Sequence, residues 1–166
     1  TNRLVGSEMC IRDRIMPLST KLDKRNEDIK IYINGEFFHR DQAKISVFDS
    51  GFLLGDGIWE GIRLVNNSWL FLNEHLDRLY EGCKAIDIRL DEDKKFLTNA
   101  IIETQKINNI TDAAHARVMV TRGNKIKPFQ QPSLSKDGMN LVIIMEHSEE
   151  HPCLLYTSDA ADDDTR

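Results

Sequence analysis

The amino-acid sequence predicts an α+β fold in which two helices pack on one face of an antiparallel sheet. Short runs of alternating apolar residues flank Asn34-Gly35 and Asn66-Asn67, which are residue pairs typical of the tight turns between antiparallel strands. Two segments with helical spacing of apolar residues follow these hairpins, and two further strand-like segments come last. Strands that occur in groups separated by helices favour an α+β arrangement.

The first hairpin is predicted from Ile29–Ile33 and Glu36–His39, joined by Asn34-Gly35. The apolar residues at positions 43, 45 and 47 also alternate with polar ones, which predicts extended chain up to Phe48. The second hairpin is predicted from Ile58–Val65 and Ser68–Leu72.

A glycine-rich segment, Asp49–Arg63, lies between the two hairpins and has the sequence DSGFLLGDGIWEGIR. Gly55-Asp56-Gly57 predicts a turn directly before the strand. Alternation along that strand places Ile58, Glu60, Ile62 and Leu64 on one face and Trp59, Gly61, Arg63 and Val65 on the other. The small Gly61 would leave a gap between Trp59 and Arg63 that suits a small planar ligand. A hairpin corner with a bulge explains the same glycines without a ligand.

The three glycines of this segment do not form a dinucleotide-binding fingerprint. Gly55, Gly57 and Gly61 are spaced G-x-G-x-x-x-G, and a strand follows where the fingerprint requires a helix. The sequence therefore excludes a nicotinamide site of that type.

The first helix is predicted to begin at Asn73, whose side chain can cap it. Its apolar stripe comprises Leu76, Leu79, Tyr80, Cys83 and Ile86. Arg78 lies beside this stripe, where a guanidinium either reaches a neighbouring pocket or stays exposed to solvent.

The second helix is predicted to open at Asp91, with an apolar stripe formed by Phe96, Leu97, Ala100, Ile101, Thr104 and Ile107. A strand follows, in which Ala116, Val118 and Val120 alternate with polar or larger residues, and Arg122-Gly123-Asn124 ends it. The loop from Lys125 to Gly138 is long enough to be a binding loop. Leu141–Met145 is the last predicted strand.

Composition excludes several classes of protein. The chain has 166 residues, of which 40% are hydrophobic and 30% charged, and a net charge of −5, so no basic excess indicates nucleic-acid binding. No apolar run approaches the roughly 20 residues of a membrane span, and we expect a cytoplasmic protein. The three cysteines show no metal-binding spacing, and Cys83 is expected in the core.

The two ends of the chain differ from its middle. The strings VGSEMCIRDR, within Thr1–Arg14, and CLLYTSDAADD, within Cys153–Arg166, resemble translated sequencing-adapter read-through. We therefore expect one domain over residues 15–152, cut short at both ends, between foreign segments at 1–14 and 153–166. Native but disordered termini are the alternative.

Four motifs together resemble a known family. YINGEF, the DSGFLLGDGIWEGIR segment, FLNEHLDRL and ARVMVTRG occur in order over about residues 30–146. They look like the small N-terminal domain of the class IV (fold type IV) pyridoxal-phosphate enzymes, which include branched-chain and D-amino-acid aminotransferases and aminodeoxychorismate lyase. The resemblance implies a pyridoxal 5′-phosphate cofactor, an amino acid and a 2-oxo acid as small-molecule substrates, and a homodimer.

The resemblance also implies roles for particular residues. Arg78, in NEHLDRL, matches the arginine that holds the cofactor phosphate, a task that suits a fixed guanidinium fork. Trp59 matches an aromatic residue on the substrate side of the cofactor ring. Glu60, Gly61 and Arg63 are expected in the strand of that same pocket, and Arg117 matches an arginine of the branched-chain enzymes.

The substrate is less closely defined by the resemblance. WEGIR is similar to the FEGIR of branched-chain enzymes, and the R-x-H carboxylate pair of D-amino-acid enzymes falls on Lys127 and Phe129. The GDG turn and the NEHLDRL helix are closer to the D-amino-acid and lyase relatives, and Leu54 stands where branched-chain enzymes often have tyrosine. A branched-chain aminotransferase using 2-oxoglutarate is the main interpretation, with the other two activities as alternatives.

One part of the family's machinery is not found in this sequence. The resemblance places the Schiff-base lysine, and the glutamate that pairs with the pyridinium nitrogen, in a C-terminal domain, and no lysine follows Lys136. We therefore expect no catalytic residue in this chain and no activity of the chain alone. A non-catalytic binding domain is the interpretation from a different functional class.

Overall fold

The computed structural model describes residues 23–148 and confirms the predicted fold class. Six strands form one antiparallel sheet in the order β2-β1-β6-β5-β3-β4, and two long helices cover one face of it. The elements are β1 (Lys30–Ile33), β2 (Glu36–His39), α1 (Ser50–Leu54), β3 (Gly57–Val65), β4 (Ser68–Trp69), α2 (Leu72–Ala85), α3 (Lys94–Ile107), β5 (Ala114–Thr121) and β6 (Asn140–His147). The foreign or disordered segments predicted at 1–14 and 153–166 lie outside the described residues.

Both predicted hairpins form. Asn34 and Gly35 adopt positive φ angles of 50° and 97° between β1 and β2. Asn66 and Asn67, with φ angles of 49° and 57°, join β3 to β4. Positive φ at both central residues matches the right-handed twist of the strands, which is why asparagine and glycine occupy these positions.

The second strand of the second hairpin was predicted to be longer than it is. The sequence predicted Ser68–Leu72, but β4 ends at Trp69. Phe71 takes a φ of 49°, a left-handed conformation that turns the chain out of the sheet and into α2. Leu72 cannot both end β4 and begin α2, and in the structure it begins α2.

The centre of the sheet consists of β3, β5 and β6. Eight residue pairs join β3 to β5, from Gly57–Thr121 to Leu64–Ala114, and eight more join β5 to β6. The helix-facing side chains of these strands are almost wholly buried, including Ile62, Leu64, Val118, Val120, Ile143 and Met145. Because strand residues alternate in direction, every second residue of the same strands lies on the face that no described helix covers.

The two long helices supply the other half of the core. Leu76, Leu79 and Cys83 of α2 are buried as predicted, and burial raises the pKa of the Cys83 thiol. The stripe of α3 is confirmed at four residues (Leu97, Ala100, Ile101 and Thr104), whereas Phe96 and Ile107 are exposed. These two side chains lie in the first and the last turn of the helix. No described helix is both long enough and apolar enough to cross a membrane.

The predicted starts of both helices were wrong by a few residues. Asn73 does not cap α2, because that helix already begins at Leu72 after Phe71. Asp93, rather than Asp91, caps α3, and its side chain accepts a hydrogen bond of 2.7 Å from the Phe96 backbone N–H.

Residues 43–48 do not form the extended segment suggested by their alternation. They pair with no strand, and Ile45, Val47 and Phe48 are exposed. The segment leads instead into α1, a short helix that was not predicted. The two-residue period therefore does not report a strand in this segment, although β2 is an edge strand of the described sheet.

Asp49 connects α1 to the sheet through a buried carboxylate. One oxygen accepts hydrogen bonds from the Gly51 and Phe52 backbone N–H groups, at 2.9 and 3.2 Å, and so caps the helix. The other accepts from Thr121 Oγ1 at 2.6 Å and from Asn140 Nδ2 at 2.7 Å. Asp49 is 2% exposed, so these groups replace water as its partners.

Asp49→Ala should lower the free energy of unfolding by about 3 kcal/mol, because it removes four hydrogen bonds to a buried carboxylate and leaves buried donors unpaired. Urea denaturation of the 166-residue chain measures this change. Asp41→Ala is the matched control, since the Asp41 side chain is 80% exposed. Equal losses in the two variants would show that Asp49 does not hold α1 to the sheet.

Candidate active site

Strand β3 carries two sets of side chains that point in opposite directions. Glu60, Ile62 and Leu64 face the helices and are buried. Trp59, Gly61 and Arg63 lie on the other face. Within residues 23–148, β4 pairs with β3 only at Leu64 and Val65, and no strand pairs with the outer edge of β3 from Gly57 to Arg63. Both sets of side chains therefore border the same open strand edge.

On the helix-covered face, Glu60 binds two side chains of α2. Its two oxygens accept hydrogen bonds from Arg78 Nε and Nη2, each at 2.6 Å, in a bidentate ion pair. Oε2 also lies 2.8 Å from His75 Nδ1. The side chains of Glu60 and His75 are almost fully buried, whereas that of Arg78 remains 38% exposed. The guanidinium is therefore held at one edge by a buried carboxylate while part of the side chain reaches the surface.

The pKa of Glu60 reflects these partners. Burial by itself would raise the pKa of the carboxyl, but hydrogen bonds from Arg78 and His75, together with their charges, outweigh burial and hold the pKa below its ordinary value of 4.5. Glu60 is therefore ionised at neutral pH. An ionised carboxylate accepts hydrogen bonds only, so the His75 Nδ1 atom carries a proton and donates it.

On the opposite face, two arginines and an aromatic ring lie close together. The guanidinium carbon of Arg117 stacks over the Trp59 ring at 4.4 Å from its centroid. Arg117 lies directly opposite Gly61, and Arg63 lies directly opposite His115. The Arg63 Nη1 atom donates to Ser148 Oγ at 3.4 Å.

The gap predicted above Gly61 is filled by the protein itself. A Cβ atom built on Gly61 would lie only 2.8 Å from Nε2 of His115. The imidazole of a neighbouring strand thus crosses the glycine, and a larger residue here would displace it. The gap does not accept a planar ligand in this conformation.

An apolar cleft of about 570 Å³ lies along the same face, between the sheet and α1. Its walls include Trp59, Ile31, Ile33, Met119, Val142 and Phe52. Trp59 is 58% exposed and Phe52 is 73% exposed, which is unusual for large apolar side chains in a folded protein. The volume lies within the usual range for small-molecule sites, about 300–1,000 Å³.

The turn at one end of this cleft is fixed by an ion pair. Arg122 donates from Nε and Nη2 to the two carboxylate oxygens of Asp56, at 2.7 and 3.1 Å. It also donates to the backbone carbonyls of Ile86 and Asp87, both at 2.5 Å, just beyond α2. Hydrogen bonds to Asp56 raise the pKa of Arg122. The glycine-rich turn and the end of α2 are thereby tied together.

The structure brings the predicted site residues together in two groups. Trp59 lines the cleft, and Gly61, Arg63 and Arg117 lie further along that face. Glu60 was expected in the substrate pocket with them, but it lies on the opposite face with Arg78. The reason is the alternation of β3, which places adjacent residues of the WEGIR motif on opposite faces.

Two histidines of the site were not predicted. His75 precedes Arg78 by three residues and so shares its face of α2, a spacing that could have indicated a cluster. No sequence pattern indicates His115, because its position over Gly61 depends on the register of β3 and β5. The described residues contain no group of three or more acidic, histidine or cysteine side chains arranged to hold a metal ion.

A match to a family model defines the class of protein. The model of the family described as "Amino-transferase class IV" matches residues 57–156. This is more than half of the chain, and the chain therefore belongs to that family, which is dependent on pyridoxal phosphate.

Individual relatives agree with this assignment. A putative branched-chain-amino-acid aminotransferase of Methanocaldococcus jannaschii is 44% identical over 95 residues, which cover 57% of this chain and 33% of that protein. A D-alanine aminotransferase of Listeria monocytogenes is 33% identical over 95 residues, covering 57% and 32%. The structure of the branched-chain amino acid aminotransferase of Escherichia coli has a TM-score of 0.63 at 22% identity, covering 72% and 41%.

These comparisons establish the fold and the family. The matched part of the chain spans about a third of the length of the sequence relatives and about two fifths of the structural one.

Glu60→Gln should make the free energy of unfolding depend less on pH in acid. The pKa of Glu60 is lower in the folded than in the unfolded state, so the unfolded state binds more protons between the two values. The stability contributed by this carboxylate is therefore present above pH 4.5 and is lost as the pH falls through the folded-state pKa. Urea denaturation at pH values on both sides of 4.5 measures the slope.

The variant Glu81→Gln, which changes an exposed carboxylate on α2, is the control and should keep the wild-type slope. An unchanged slope in Glu60→Gln would contradict the ion pair seen in the structure.

Proposed function

We propose that the protein containing this chain is an aminotransferase that passes the amino group of a branched-chain or similar amino acid to 2-oxoglutarate. The observation that carries this proposal is the bidentate pair that fixes the Arg78 guanidinium on the helix-covered face of β3, while Arg117 stacks on Trp59 on the opposite face of the same strand pair. Membership of the class IV family and the 44% identity to a putative branched-chain enzyme support it.

Arg78 is the residue of this chain that would hold the phosphate of pyridoxal 5′-phosphate. The Arg78 side chain is 38% exposed and its guanidinium is already oriented by Glu60. A planar guanidinium suits a phosphate dianion better than a mobile ammonium group does, because its donors form a rigid fork. When bound, the cofactor supplies the electron sink that amino-group transfer requires.

The opposite face would bind the substrates. The Trp59 ring forms a wall next to the apolar cleft, which suits a branched aliphatic side chain. Arg117 and Arg63 supply positive charge for carboxylates, of which 2-oxoglutarate has two. Stacking on Trp59 limits the positions that Arg117 can take, so that the cation lies at a fixed point of the face.

The remaining groups would come from the part of the relatives' length that this chain does not span. In the proposed enzyme that part provides the lysine that anchors the cofactor and covers the apolar cleft. This chain alone is then inactive, and the complete enzyme is a homodimer. The exposure of Trp59 and Phe52 supports a covering segment, because large exposed apolar patches mark interaction surfaces.

A D-amino-acid aminotransferase is the second candidate, because several relatives at 33–34% identity are D-alanine aminotransferases. The positions of the R-x-H carboxylate pair hold Lys127 and Phe129 in this chain, and Phe129 is 61% exposed and apolar. This difference favours the branched-chain activity. An aminodeoxychorismate lyase and a non-catalytic binding domain are the further alternatives.

Assays of the full-length protein with single amino donors should separate these candidates. We expect L-leucine, L-isoleucine and L-valine to react with 2-oxoglutarate in the presence of pyridoxal 5′-phosphate, and D-alanine to react far more slowly. Formation of glutamate and of the branched 2-oxo acid measures the reaction. Preference for D-alanine, or release of pyruvate from aminodeoxychorismate, would replace the proposed activity with an alternative.

In the full-length enzyme, Arg78→Ala should weaken the binding of the aminated cofactor by roughly thirty-fold to several thousand-fold. Removing one partner of a partly desolvated charge pair costs about 2–5 kcal/mol, and about 1.4 kcal/mol corresponds to a factor of ten. Activity should return when excess pyridoxal 5′-phosphate is added.

Arg63→Ala is the matched control, because Arg63 lies on the substrate side of β3. Its defect should appear in KM or kcat and should persist in excess cofactor. Titration of both variants with cofactor distinguishes the two roles. Wild-type affinity of Arg78→Ala for pyridoxamine 5′-phosphate would exclude Arg78 from the phosphate site.

A further inference from the structure

Glu60 occupies a position where the rest of the strand is apolar. The next helix-facing residues of β3 are Ile62 and Leu64, and the residue paired with Glu60 on β5 is Val118, all of them fully buried. Glu60 itself is 3% exposed. A carboxylate in such surroundings needs compensating partners, which it finds in Arg78 and His75 of α2.

Stability of the fold does not by itself explain this arrangement. Buried ion pairs can often be replaced by well-packed apolar side chains without loss of stability, because desolvation offsets most of the attraction between the charges. An apolar residue at position 60 would continue the alternation of β3 with Ile62 and Leu64. The buried carboxylate therefore points to a task in the site.

We propose that Glu60 is a positioning residue, which orients the guanidinium of Arg78 for the cofactor phosphate before the cofactor binds. This inference rests on the proposed function, in which Arg78 holds that phosphate. The two parallel hydrogen bonds of 2.6 Å fix both the position and the plane of the guanidinium, which one hydrogen bond alone would leave free to rotate. Ordering a long side chain in advance removes an entropic penalty from binding.

His75 holds the carboxylate in turn. Its Nδ1 atom donates to Oε2 at 2.8 Å, and its imidazole is buried. Because His75 and Arg78 are three residues apart on α2, the helix presents both donors to the same carboxylate. The carboxylate is thereby bound to one rigid element at two points.

Positioning and simple electrostatics predict opposite results for the same substitution. Glu60 carries a negative charge beside the proposed phosphate site, so its removal should strengthen phosphate binding if charge alone matters. In Glu60→Gln, one carboxylate oxygen becomes an N–H donor that faces the donors of Arg78, and the bidentate pair is lost. If Glu60 positions Arg78, the substitution should weaken phosphate binding.

The test measures the affinity of the full-length protein for pyridoxal 5′-phosphate and for pyridoxal, which lacks the phosphate. The quantity of interest is the affinity for pyridoxal 5′-phosphate divided by the affinity for pyridoxal. We expect Glu60→Gln to lower this ratio about tenfold or more, equivalent to about 1.4 kcal/mol, while pyridoxal itself binds about as in the wild type. A purely structural defect would weaken both ligands together and leave the ratio unchanged. Glu81→Gln, which changes an exposed carboxylate on α2, is the control.

Arg78→Ala and the double variant separate this inference from the proposed function. Arg78→Ala should lower the same ratio. The double variant should have the same ratio as Arg78→Ala alone, because the two residues act as one unit. A low ratio in Arg78→Ala with an unchanged or raised ratio in Glu60→Gln would overturn the positioning role alone. An unchanged ratio in Arg78→Ala would overturn the phosphate assignment and the positioning role with it.

If Glu60→Gln does not fold, His75→Leu provides the decisive measurement. Leucine has no side-chain donor, so the variant removes the third hydrogen bond to the carboxylate and leaves the ion pair with Arg78 in place. We expect a smaller decrease of the ratio, with pyridoxal binding retained. A ratio equal to that of the wild type would then contradict the proposal.

Discussion

The alternation of side chains along β3 is the constraint on which the site depends. A strand must send adjacent residues to opposite faces, and here the two faces have different surroundings: helix α2 covers one, and the apolar cleft lies along the other. Trp59 and Glu60 are neighbours in sequence but take part in separate groups of interactions. Both groups border the open edge of the strand, so a ligand at this edge could contact both.

Charge is distributed over these faces in different ways. On the helix-covered face, the carboxylate of Glu60 is paired with Arg78 and bonded to His75, so burial is compensated within the cluster. On the other face, Arg63 and Arg117 lie among partly exposed groups, where positive charge remains available to anionic ligands. Because the chain has a net charge of −5, an anion bound to it would have to be held by local arginines rather than by the overall field.

Buried hydrogen bonds also determine the shape of the cleft. Asp49 holds α1 against the ends of β5 and β6, and the Asp56–Arg122 pair ties the following turn to the end of α2. Both carboxylates belong to the glycine-rich segment, and their hydrogen bonds fix α1 and the following turn beside the cleft that Phe52 and Trp59 line.

Local pattern in the sequence determined the elements that depend on neighbouring residues alone. The asparagine-containing turns, the strand at Ile58–Val65, the stripe of α2 and the family motifs all follow from short-range spacing and backbone preference, and each is present in the protein. Tertiary structure alone decided the features that depend on a distant partner. Residues 43–48 have a strand-like pattern but pair with no strand, the Asp49 carboxylate that caps α1 is also held by Thr121 and Asn140, and His115 lies over Gly61 through the register of β3 with β5. The role of Glu60 likewise depends on α2 packing over it, because a carboxylate in an apolar strand is stable only where another element supplies its partners.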